Sequence, residues 1–76
     1  MDEVNETLGM IEEVIQTQDE IKCRKNVFES LGKLIQKYPE RTEEIQKIFK
    51  YMCVKYSKDF YKDMRWDNPA EILQSI

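Results

Sequence analysis

Residues 42–65 read TEEIQKIFKYMCVKYSKDFYKDMR, a stretch free of Gly and Pro whose apolar residues keep one period throughout. At roughly 100° per residue, Ile45, Phe49, Met52, Tyr56 and Phe60 gather on one side of a helix, flanked by Ile48, Cys53 and Met64. The opposite side carries Lys47, Lys50, Lys55, Lys58, Lys62 and Arg65, with Tyr51, Val54 and Tyr61 set between them. The spacing predicts one long amphipathic helix, reaching Met64, with an apolar face for a core and a basic, aromatic-spotted face on the other side.

Working outward, the chain before this stretch holds two further amphipathic patterns. Val4, Leu8, Ile11, Val14 and Ile15 predict a helix from about Asp2 to Gln16, with acids in the first turn where the helix dipole favours them; Gly9 weakens it by roughly 1 kcal/mol relative to Ala. Val27, Phe28, Leu31, Leu34, Ile35 and Tyr38 form the next stripe. Carried through at the helical period, the first stripe points almost opposite the second, so a straight unbroken helix would bury its halves against different things. Thr17 to Glu20 reads as a capping box, Thr17 as N-cap, and predicts a break there; the alternative is an unbroken helix shared between two subunits. Tyr38 and Pro39 end the second helix, because Pro lacks the donor a helix interior needs and restricts the residue before it. A third helix then starts at Pro39, or at Thr42 with Thr42 as its cap. Beyond Trp66, Asn68 as cap and Pro69 at the first position predict a short fourth helix carrying Ile72, Leu73 and Ile76, too short to stand without docking.

The expected fold is therefore all-α, one compact bundle of three main helices plus a short C-terminal helix. Its expected core is Leu8, Ile11, Ile15, Phe28, Leu31, Ile35, Ile45, Phe49, Met52, Tyr56 and Phe60. A chain of 76 residues allows one domain and leaves no room for a cleft between two. Charged residues make up 36% of the chain, which fits well-solvated helix faces around a small core. Ala occurs once while Lys, Glu, Ile, Gln and Tyr abound, a bias that points to A/T-rich coding DNA such as a low-GC bacterium or a virus carries.

The net charge of −3 hides an asymmetry: seven acids and no bases up to Ile21, then twelve bases and eight acids, so −7 and +4. Either the acidic first helix packs beside the basic ones, or it keeps the basic face from binding polyanions at random. No apolar run approaches the roughly 18 residues of a membrane span, and an intracellular location is expected. Cys23 and Cys53 match no metal spacing. A hairpin turning near Pro39 would bring them to the same height, where a disulfide is geometrically open, while a reducing compartment opposes it.

Enzymatic readings lack their usual parts. The chain has no His and only two glycines, so neither an ordinary base near neutral pH nor a phosphate-cradling loop is available, and no cofactor is expected. Asp59, Asp63 and Asp67 are spaced by four and would line one edge of a continuing helix, yet ion pairing with Arg24 and capping explain them, so no metal is expected either. The expected function is that of a small regulatory or adaptor protein that binds another protein. The expected contact residues are Lys47, Lys50, Tyr51, Lys58, Tyr61, Lys62, Arg65 and Trp66, with aromatic residues supplying affinity and lysines steering an acidic partner. Two alternatives use the same chain: a nucleic-acid-binding regulator tracking phosphates along about 27 Å of basic helix face, and a structural subunit of a homo-oligomer. Monomer and homodimer are both open.

Overall fold

In the computed structural model, which describes residues 2–63 without the side chains of 20–22 and 63, the chain is helical and strand-free among the described residues. The order is α1 (Glu3–Thr17), α2 (Glu20–Lys37), a 3-10 turn (Pro39–Arg41), α3 (Thr42–Lys55) and a second 3-10 turn (Phe60–Asp63). The three-helix bundle is the expected one. The helix expected from Pro69, and the anchor expected at Trp66, lie outside the described residues.

Each helix boundary has a chemical cause. Asp2 caps α1, its Oδ1 accepting the Val4 N–H at 2.9 Å, which satisfies one of the donors a helix start leaves over. The break between α1 and α2 falls where the stripes change phase, but the cap is not Thr17. Thr17 is the last residue of α1 and its hydroxyl donates to the Glu13 carbonyl at 2.8 Å; the carbonyl of Asp19 instead accepts from Cys23 N–H at 3.2 Å and opens α2. Tyr38, ahead of Pro39, sits at φ −129° and ψ 63°, outside the helical region, as a residue before Pro should. Thr42 is the first residue of α3 and not its cap; its hydroxyl donates back to the Pro39 carbonyl at 2.7 Å and fastens the 3-10 turn to the helix.

The largest departure lies in the stretch that predicts the long helix. α3 stops at Lys55, not Met64. Ser57 has φ 58°, the left-handed conformation that ends many helices, and two crossed bonds close it: Ser57 N–H to the Val54 carbonyl at 3.2 Å and Lys58 N–H to the Cys53 carbonyl at 2.7 Å. That pair of bonds is a Schellman motif, built here on Ser where Gly is usual. The chain then doubles back through its second 3-10 turn and still buries Phe60 completely.

The core gathers Val4, Leu8, Ile11 and Ile15 of α1, Cys23, Val27, Phe28, Leu31, Leu34 and Ile35 of α2, and Ile45, Phe49, Met52 and Cys53 of α3, closed by Phe60. Of the expected core only Tyr56 is not fully buried; it packs at the edge and reaches Glu12 with its hydroxyl at 2.9 Å. Phe60 meets Phe28 edge-on at 6.1 Å between ring centres and Phe49 nearly parallel at 6.5 Å, so it joins the second and third helices through one ring. α1 makes close backbone approaches to both α2 and α3, which makes it the shared partner of the bundle. Cys23 and Cys53 are both buried in the core and are not joined as a disulfide. No helix among the described residues is long and apolar enough to cross a membrane.

Candidate partner-binding surface

Helical geometry puts one side of α3 in the core and turns the other to solvent. Ile45, Phe49 and Met52 point inward; Lys47, Lys50, Tyr51 and Val54, half a turn away, share the outer face. Tyr51 is 68% exposed and Val54 62%, and they stand side by side on that face. A lone exposed apolar residue needs no explanation, but an aromatic and a β-branched residue adjoining between lysines make an amphipathic patch.

The structure brings part of the expected set together. Lys50 Nζ lies 5.8 Å from the centre of the Tyr61 ring, so the returning 3-10 turn adds Tyr61 to the α3 face through a cation–π contact. Tyr61 is itself only half exposed, its ring packed against the core. Lys47 pairs with Glu43 along its own helix at 3.5 Å, and Lys62 with Asp59 at 3.4 Å; all four side chains remain more than half exposed. Lys58 and Lys62 are not on the helix that carries Lys47 and Lys50, because the Schellman turn lies between them. The continuous basic row of about 27 Å is therefore absent: from Lys47 to the last helical residue, Lys55, the face runs about 12 Å. Arg65 and Trp66 lie outside the described residues. At its start the strip meets Glu40 and Glu43, and the Glu43 carboxylate offsets part of the charge of Lys47.

The acidic first helix reaches this face only at its end, where Glu12 pairs with Lys55 at 3.5 Å and takes the Tyr56 hydroxyl, and it leaves Lys47, Lys50, Tyr51 and Val54 exposed. Its other paired carboxylates go elsewhere: Glu3 to Lys37 at 2.8 Å, and Asp2 to Arg41 at 2.9 Å. The last two belong to a polar clamp that ties the start of α1 to the end of α2 and the start of α3. Tyr38 donates its hydroxyl to Glu3 Oε1 at 2.8 Å, and the Arg41 guanidinium grips Glu44 with Nε and a terminal nitrogen at 2.9 and 3.0 Å. Hydrogen bonds from Arg41 hold the Asp2 and Glu44 carboxyls below their usual range, and bonds from Lys37 and Tyr38 do the same for Glu3. In return Glu3 raises both Lys37 and the Tyr38 phenol. Every charge in the clamp faces a partner in the same chain, so its work is to hold helix ends together.

Sequence reasoning missed a second feature, an apolar groove of about 190 Å³ between α1 and α2, lined by Thr7, Met10, Ile11, Val14, Asn26, Val27 and Ser30. Met10, at its lip, is 64% exposed. The signal was in the sequence: Met10 lies outside the α1 stripe yet is apolar, in a helix whose other outward positions are almost all polar. Among the described residues no group of three His, Cys, Asp or Glu side chains could hold a metal ion. Compared with family models, curated proteins and solved structures, the chain matches none.

Proposed function

We propose that this protein is a non-enzymatic regulatory or adaptor module that binds an acidic surface of another protein through the outer face of α3. The observation that carries the reading is the exposure of Tyr51 beside Val54, flanked by Lys47 and Lys50 and left uncovered by the acidic helix α1. A large ring and a branched side chain already held rigid by a helix supply contact area at little entropic cost, and the two lysines steer encounter with a negative partner. The absence of His from the whole chain supports the non-enzymatic half. The nucleic-acid alternative loses its main support, since a face of about 12 Å contacts few phosphates and a pI near 4.9 opposes a polyanion at long range.

A photo-crosslinking amino acid at position 51 of the full chain, expressed in the native host, tests this. The expected result is one protease-sensitive adduct that disappears when Lys47 and Lys50 are both changed to Glu. A nuclease-sensitive adduct, or a protein adduct indifferent to the charge reversal, would overturn it.

A further inference from the structure

The α1–α2 groove lies on the far side of these helices from α3, and its lining contains no charged side chain in a chain that is 36% charged. Its floor is Ile11, Val14 and Val27, its sides Thr7, Asn26 and Ser30, and Met10 stands exposed at the edge. A second hollow continues it toward the start of α1, lined by Glu3, Thr7, Ser30, Lys33, Leu34 and Lys37. Beside the groove α1 carries acids, whereas α2 carries lysines together with one acid, Glu29, which pairs with Lys33. On α1, Glu6 stands one turn before Met10 on the same face and Glu3 one turn before Thr7; on α2, Lys33 and Lys37 stand seven and eleven residues after Asn26, also on one face.

We propose that this groove is the interface of a homodimer in which two copies meet face to face about a two-fold axis running along the groove. The reason is self-complementarity. Such an axis keeps height along the groove and exchanges left for right, so α1 of one copy lies over α2 of the other. Because α1 and α2 are antiparallel neighbours, joined through Glu3 and Lys37 at one end and lining the groove at Met10 and Ser30 further along, Glu6 falls within a residue of the height of Lys33. Glu6 of each copy comes over Lys33 of the other, and each Met10 enters the other's groove beside Ser30. An axis across the groove would instead lay α1 on α1 and α2 on α2, so that Glu6 meets no lysine of the other copy. Met suits the role, being long, unbranched and able to fill an irregular hollow. Lys33 already holds Glu29 at 3.1 Å along its own helix, so the cross-copy contact makes Lys33 a shared cation between two carboxylates. The interface is independent of the α3 face, which stays open on the outside of such a dimer.

Sedimentation equilibrium of the full chain across micromolar to millimolar concentration reads the result. The expected outcome is a monomer–dimer equilibrium whose Kd rises at least tenfold in Met10→Glu and in Glu6→Lys, and returns to within about threefold of the parent in the double variant Glu6→Lys with Lys33→Glu. Met10 and Glu6 are exposed, so circular dichroism of the variants should stay helical, which separates lost association from lost folding. A chain monomeric throughout the range overturns the proposal, as does a dimer that Met10→Glu leaves unchanged or that the charge swap fails to restore.

Discussion

The two ends of α3 are held by different physics. At its start, Arg41 joins Glu44 and Asp2 through charged, partly exposed hydrogen bonds, and Thr42 leans on the Pro39 carbonyl. At its end, the Schellman turn at Ser57 redirects the backbone so that Phe60 can insert between Phe28 and Phe49. Charged contacts in water are screened and return little net stability, whereas a fully buried ring adds transfer energy and packing. The comparison teaches that the visibly connected end is the weaker fastening, and that the short return after Lys55 is what closes the bundle.

Phe60→Ala should break that comparison with the largest effect, a loss of about 3–4 kcal/mol in urea unfolding, since the cavity would lie between two aromatic rings. A loss below about 1 kcal/mol would mean the return is a loosely attached tail. Tyr56→Phe comes next. It removes the hydroxyl that joins Glu12 of α1 to the end of α3, leaving that carboxylate with Lys55 alone, and should cost about 1 kcal/mol by the same measurement. Ser57→Gly should act in the opposite direction, stabilising by roughly 0.5–1 kcal/mol because Gly adopts the left-handed conformation without a Cβ penalty. If α3 ran straight through this position, Gly would destabilise it instead.

The smallest effect belongs to the polar end and is read in pH. Asp2, Glu3 and Glu44 have folded-state pKa values below their ordinary values of 3.8 and 4.5. Their contribution is therefore fully present above those values and is lost as pH falls through the depressed ones. Lys37 and Tyr38 are raised from 10.5 and 10.0, so theirs is present below that range and lost as pH climbs through the raised values. Hydrogen exchange at acid pH should show the amides near Asp2 and Arg41 opening before those near Cys53, and added salt at neutral pH, by screening the clamp, should shift exchange in the same direction.

How far the sequence discloses these things follows from what periodicity measures. It names the side chains that are buried, and Phe60 is buried as its place in the stripe requires; it does not say by what backbone path they arrive. Phe60 keeps helical phase with Phe49 and Met52 although a left-handed residue stands between. Nothing at Ser57 warns of this, since the signal for such a turn is Gly, and Lys58 and Asp59 are unremarkable in a helix. The break before α2 is legible because two stripes disagree in phase, but its cap is not, because Thr17 and Asp19 are both good capping residues and only geometry chooses. On the surface, the sequence reveals Tyr51, Val54, Lys47 and Lys50 as an outer face. Which lysines α1 covers depends on which way that helix turns, and it goes to Lys37, Arg41 and Lys55. The groove at Met10 needs two helices placed side by side before it exists at all.

The end of α3 decides both how the bundle closes and how far its basic face extends, and backbone carbon chemical shifts across residues 50–64 of the full chain measure it directly. Helical shifts ending at Lys55, a left-handed signature at Ser57 and a contact between the Phe60 and Phe28 rings are the predicted result. Unbroken helical shifts through Met64 would contradict it and restore the long basic row that this turn removes.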